Sequence, residues 1–217
     1  MGYGPGQYDS SNEDIIDRMI KRKDKSWANL CLIGANLLLF LLVELTGSTG
    51  DTAQMIRWGA AYTPLIQAGE YYRLFTCMFL HFGFQHLLNN MLLLFFLGDY
   101  VERFIGKVRY LILYLAGGFL ASLFSYLQDL QQGQDTVSAG ASGAVFAVLG
   151  GLIVLILLHR GRLEDLTLPR VLIMALLSLW VGFQSVGVDG FAHLGGFLAG
   201  AALMLLLKLP DLFSGRR

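Results

Sequence analysis

The stretch 139-AGASGAVFAVLGGLIVLILL-158 decides how this chain is read. Its second half is an uncharged run of Val, Leu and Ile, and the whole has the length of a membrane-crossing helix, about 20 residues. Its first third is different: glycines and alanines surround a single hydroxyl, Ser142. Small residues four apart, Gly140 with Ala144 or Gly143 with Ala147, are what helices use to approach closely in lipid. The same stretch also describes a nucleophile set inside a membrane. Taken alone, it favours packing.

The rest of the chain carries the same apolar character. Of 217 residues, 55% are hydrophobic and 15% are charged, against about 25% charged in a soluble domain. Mean hydropathy is +0.56. Sixteen Lys and Arg balance sixteen Asp and Glu, so nucleic-acid binding has no compositional support. Apolar windows place spans at 27–46, 83–103, 108–127, 139–158, 170–187 and 190–208. The expected fold is an all-α membrane protein, a six-transmembrane-helix bundle over 27–208. Residues 1–26 and 209–217 are read as short tails. The polar, acid-bearing opening MGYGPGQYDSSNEDIID does not resemble a cleavable signal. Pro169 suits the first turn of the fifth helix, and Pro210 is expected to close the sixth. Cys31 lies near the start of the first span and Cys77 well beyond its end, near opposite faces of the membrane, so they are not expected to pair.

Orientation follows from the cations. Arg18, Lys21, Arg22, Lys23, Lys25, Arg103, Lys107, Arg109, Arg160, Arg162, Arg170, Lys208, Arg216 and Arg217 fall on one side of a six-span arrangement; Arg57 and Arg73 fall on the other. The positive-inside rule then places both termini in the cytoplasm. The long first connection, 47–82, is outside yet rich in aromatic and aliphatic residues. It is expected to lie along the interface, with Trp58, Tyr62, Tyr71 and Tyr72 at headgroup level.

Polar groups inside apolar helices are costly and need a reason. The second helix opens HFGFQHLLNNM, with His81, His86, Asn89 and Asn90; the fourth opens with Ser138 and Ser142; the sixth opens DGFAHLGGFLAG, with Asp189 and His193. Helices two, four and six all run from outside to inside. The three clusters therefore share one depth, toward the outer face. Ser142 needs a base to act as a nucleophile, and His193 can supply one. His86 and Asn90, spaced i, i+4, share a helix face and offer N–H donors to an oxyanion. Ser142 lies in the first turn of its helix, where backbone N–H groups are free. Serine, base and oxyanion donors together describe acyl transfer. Asp189 reads better as a cap than as a third catalytic member. The G-x-S-x-G elbow is absent, since position 144 is Ala. A channel or transporter would need broken helices or inverted repeats, which are not evident. No Cys/His spacing suggests a metal, and no cofactor is expected.

These residues resemble a known pattern. EYYRLFT (70–76) with HFGFQHLLNNM, GASG (140–143) and AHLGGFLAG (192–200) are similar to the signatures of the rhomboid family of intramembrane serine proteases, in its six-helix bacterial form. The resemblance implies that Ser142 is the nucleophile and His193 the base. It makes His86, Asn90 and the Ser142 N–H the oxyanion hole, and Gly140 the glycine of the serine motif. It assigns Arg73 and Glu102 to holding the first loop and the second helix. Gly196 and Gly200 would let the sixth helix approach the fourth. Two positions depart from the family: Tyr72 stands where Trp is frequent, and Phe146 where some members have Tyr. An aromatic face survives at both, so activity is expected. The resemblance further implies single-pass membrane proteins as substrates, entering from the lipid between helices two and five. An inactive rhomboid-like protein that binds membrane clients is the alternative; retention of both Ser142 and His193 argues against it.

Overall fold

The computed structural model describes residues 26–185 and 187–213. The expected N-terminal tail, apart from Ser26, and residues 214–217 lie outside the described residues. Among the described residues, six long helices follow in order: α1 (Trp27–Thr46), α2 (Gly83–Ile105), α3 (Lys107–Gln132), α4 (Ser142–Leu158), α5 (Leu168–Gln184) and α6 (Gly190–Phe213). Three, α1, α3 and α6, are long and apolar enough to cross a membrane; α2 qualifies together with the short helical segment Arg73–Phe79, from which it turns by 89°. The apolar α4 and α5 have 17 residues each, about 25 Å at 1.5 Å per residue. The protein is a multi-pass helical membrane protein.

Several expected boundaries move: the second helix runs to Ile105 and the third to Gln132, and the last three helices shift as follows. The fourth helix starts at Ser142 rather than 139. Residues 137–138 form β2, which pairs antiparallel with β1 (Ala61–Tyr62), in register Ala61 to Ser138. The Gly140 N–H donates to the Cys77 carbonyl at 3.0 Å. These bonds take the backbone that a longer helix would use. The fifth helix occupies 168–184 with Pro169 in its first turn, where no N–H is needed. The sixth does not close at Pro210; it continues to Phe213 with the proline inside. Arg109 reaches both carboxylate oxygens of Asp211, at 2.7 and 2.9 Å, and Lys208 adds a third contact at 2.7 Å. This cluster holds the last turn although Pro210 leaves one carbonyl without its helical donor.

At the end of the bundle away from Ser142, α1 is tied to α2. The Glu102 carboxylate accepts from the N–H groups of Ala28 (3.1 Å) and Asn29 (2.7 Å). Those are two of the orphan donors that any helix start presents. Asn29 in turn donates to the Leu94 carbonyl and accepts from the Tyr110 hydroxyl.

The centre of the bundle is α4, and small residues admit its neighbours on two sides. On α6, a Cβ at Gly196 would fall on the Gly143 carbonyl, and one at Gly200 on the Ala147 carbonyl. On α3, a Cβ at Gly118 would stand 2.9 Å from the Ala144 side chain. Of the two small-residue pairs, Gly143 with Ala147 forms the seam with α6, while Gly140 lies before the start of α4.

The first connection is more than an interfacial strap. It folds into short helices at Thr52–Arg57, Thr63–Gln67 and Arg73–Thr76 and a 3-10 turn at Cys77–Phe79. Met55, Ile66, Leu74 and Met78 are buried. Tyr71 and Tyr72 are exposed, while Trp58 and Tyr62 are half-buried. Arg73 is the buried hub: it donates to the carbonyls of Ile56 (2.7 Å) and Ala60 (3.0 Å) and to Glu70 (2.7 Å).

Candidate active site

The starts of α2, α4 and α6 converge. Ser142 is the first residue of α4, so its N–H has no partner within the helix. Gly140 lies between that serine and His86. A Cβ built there would stand 2.7 Å from His86 Cε1, 2.9 Å from His86 Nε2 and 3.5 Å from Ser142 Oγ. Only a glycine allows this approach.

His193 comes from the first turn of α6. Its ring stacks on Phe146, with centroids 4.3 Å apart and planes 18° from parallel. Phe146 lies one turn after Ser142 on the same face of α4. The stack therefore brings the imidazole beside the serine. Behind it, a Cβ at Gly182 of α5 would stand 2.6 Å from His193 Nδ1. That nitrogen is buried without a partner. No hydrogen bond joins Ser142 to His193 among the described residues. Nucleophile–base bonds commonly close only when substrate is present.

Asn90 is buried and donates to the His86 carbonyl at 2.9 Å, which leaves its second amide hydrogen uncommitted. Asn89 is not part of the site: it pairs with Gln85 on the exposed face of α2. Ser138 belongs to β2, not to the fourth helix, and donates to Asp189 at 2.8 Å. Asp189 caps α6, accepting from the Ala192 N–H at 2.8 Å.

One residue carries a function that sequence reasoning left unassigned. His81 is buried, and its Nε2 accepts from the Ala141 N–H at 3.2 Å, immediately before the nucleophile. Its ring meets that of His86 edge-on, centroids 5.2 Å apart. Burial, and secondarily the neighbouring His86, push its pKa down to about 3. The ring stays neutral, as an accepting nitrogen requires. Gly140 and Ala141 are thus both held through their N–H groups, by the Cys77 carbonyl and the His81 ring, on the approach to Ser142. The spacing of His81 and His86 was the only signal, and it says nothing of the backbone donor.

Comparison with known proteins now adds the decisive observation. A family model described as the Rhomboid domain matches residues 68–209. The chain belongs to the rhomboid family. It is 34% identical over 178 residues to rhomboid protease GluP of Bacillus subtilis (strain 168), covering 82% of this chain and 34% of that protein. It is 39% identical over 153 residues to RHOMBOID-like protein 5 of Arabidopsis thaliana, covering 70% of this chain and 48% of that one. RHOMBOID-like protein 7 of the same plant is 32% identical over 169 residues, covering 77% and 51%. The chain spans about a third to a half of the length of these curated relatives. In this rhomboid the matched segment contains His81, His86, Asn90, Ser142 and His193, and all of α2 to α5.

Proposed function

We propose that this rhomboid is an intramembrane serine endopeptidase that cleaves single-pass membrane proteins near the extracytoplasmic face. The observation that carries the reading is the stack of His193 on Phe146, one helical turn from Ser142. In the proposed reaction, His193 takes the Ser142 proton as Oγ attacks the scissile carbonyl carbon. The tetrahedral oxyanion receives hydrogen bonds from the Ser142 N–H, the free Asn90 amide hydrogen and the His86 ring. Collapse expels the amine, which takes the proton from His193, and leaves an ester on Ser142. Water, deprotonated by the same histidine, hydrolyses that ester. The dyad needs no third carboxylate, and Asp189 is engaged elsewhere.

Six spans with both termini in the cytoplasm fit the distribution of Lys and Arg. They put the converging helix starts toward the outside, where water can reach them. Substrate entry between α2 and α5 is supported by the small number of buried residues in α5 and by exposed apolar side chains on both helices, such as Phe84 and Trp180. A helix entering there must unwind locally, because its peptide bonds are shielded by their own hydrogen bonds. Membrane lipid surrounds the bundle and contacts these faces.

The test is cleavage of a transmembrane reporter in reconstituted vesicles. Wild type is expected to release the extracytoplasmic fragment, with Ser142→Ala and His193→Ala both silent. Full cleavage by either variant overturns the dyad. Binding of the reporter without cleavage by wild type identifies an inactive client-binding protein instead.

A further inference from the structure

We propose that Asp189 is a positioning residue: its carboxylate sets the distance between Ser142 and His193 at the open end of the site. The inference rests on the serine-protease reading above.

Below the site, the two helices that carry the dyad are locked by backbone contact. Cβ atoms at Gly196, Gly200 and Gly150 would each fall on a carbonyl oxygen of the facing helix. Above the level of Gly143 the seam does not continue, because α4 begins at Ser142. Asp189 spans this gap. Its Oδ1 accepts from the Ala192 N–H at 2.8 Å, and its backbone carbonyl accepts from the His193 N–H at 3.2 Å. Both amide groups that lead into the histidine therefore rest on Asp189. The second oxygen, Oδ2, reaches outward. It accepts from the Ser138 hydroxyl at 2.8 Å and from the Ser125 hydroxyl of α3 at 2.6 Å. Ser138 stands four residues before the nucleophile, in the strand that pairs with the first loop. One carboxylate thus connects the approach to Ser142, the start of the His193 helix and the wall of α3.

Capping alone does not explain this arrangement. An N-cap needs one side-chain oxygen on the first-turn N–H groups. The Oδ2 bonds add nothing to the cap, but they fix where α6 begins relative to the serine turn. Small errors in such a distance are costly to rate, since a misplacement of about 1 Å can cost roughly a hundredfold.

The test compares Asp189→Ala, Asp189→Asn and the double variant Ser125→Ala/Ser138→Ala with wild type. It uses cleavage of a transmembrane reporter, the rate of labelling by a fluorophosphonate, and the folded fraction. Asp189→Ala is expected to lower kcat roughly tenfold or more with KM within about twofold, and to slow labelling in parallel. Asp189→Asn keeps an acceptor for the cap and a polar group for the serines, and is expected to recover kcat to within about threefold of wild type. The double serine variant keeps the cap, so it is informative even if Asp189→Ala fails to fold. It is expected to show most of the kcat loss. Wild-type kcat per folded molecule in the double variant, or a loss that appears entirely in KM, overturns the proposal. The two readings fail separately. Labelling that persists in Ser142→Ala removes the serine site itself. Labelling that needs Ser142 but runs at the wild-type rate in both Asp189→Ala and the double variant removes only the positioning role.

Discussion

Helices α4 and α5 have the same length and are both apolar, yet they are built for opposite surroundings. Fourteen of the 17 residues of α4 are buried, from Gly143 to Ile156. In α5 only Val171, Ala175 and Gly182 are. Side-chain size at the contacts is one cause of the difference. Gly143, Ala144, Ala147 and Gly150 let α3 and α6 come to backbone distance of α4. Leu176, Leu177 and Trp180 of α5 face outward. In lipid an exposed Leu costs nothing, so burial there reflects packing and not avoidance of solvent. A helix whose glycines and alanines face its neighbours is held by them on two sides, as the proposed role of Ser142 requires. A helix with so few buried residues leaves most of its surface to the surroundings, which is what the proposed entry of substrate beside α5 requires.

The largest effect expected from this contrast is on the seam. Gly200→Leu places a side chain on the Ala147 carbonyl, where the obstacle is backbone and cannot swing away. Such overpacking costs about 3 kcal/mol or more, read as loss of folded protein or a large fall in detergent melting temperature. A wild-type melting temperature would mean that the seam is looser than described. Next comes Arg73→Ala in the first loop. It strips donors from two carbonyls, those of Ile56 and Ala60, and a loss of about 2–4 kcal/mol is expected. Denaturation of the variant in detergent measures it.

Acid should act through His81. Its folded pKa lies below that of an unfolded histidine, so the unfolded chain binds the proton first. The stability contributed by neutral His81 is full above about pH 6.5 and falls as pH drops from there toward about 3. Melting temperature is expected to decline over that window in wild type and to decline less in His81→Gln. An equal decline in both would detach the effect from this residue. The smallest effect belongs to α5. Leu176→Ala, at an outward position, is expected to change stability by no more than about 0.5 kcal/mol. A loss near that of a core leucine would show that α5 is packed against something.

What the sequence revealed and what it hid follow one division. Helix positions came from apolar windows. The convergence of His86, Ser142 and His193 followed from chain direction once the spans were counted. The site's support was less legible. The pairing of Ala61–Tyr62 with Val137–Ser138 involves two residues on each side and leaves no periodic pattern. The Cys77 carbonyl that holds Gly140 would be there with any side chain at position 77. The extension of α6 past Pro210 depends on Arg109, 102 residues away in sequence from Asp211. Long-range bonds made by backbone, or by a single distant cation, carry no local signature. The composition of the first loop therefore suggests only an interfacial strap, whereas its backbone also braces the serine turn.

The central claim is that Ser142 is a nucleophile activated by His193. The most direct measurement is peptide mapping by mass spectrometry after treatment with a fluorophosphonate. One adduct is expected, on the peptide carrying Ser142. It should be absent in Ser142→Ala and formed much more slowly in His193→Ala, while Leu176→Ala labels at the wild-type rate. An adduct on any other serine, or undiminished labelling of His193→Ala, would contradict the account.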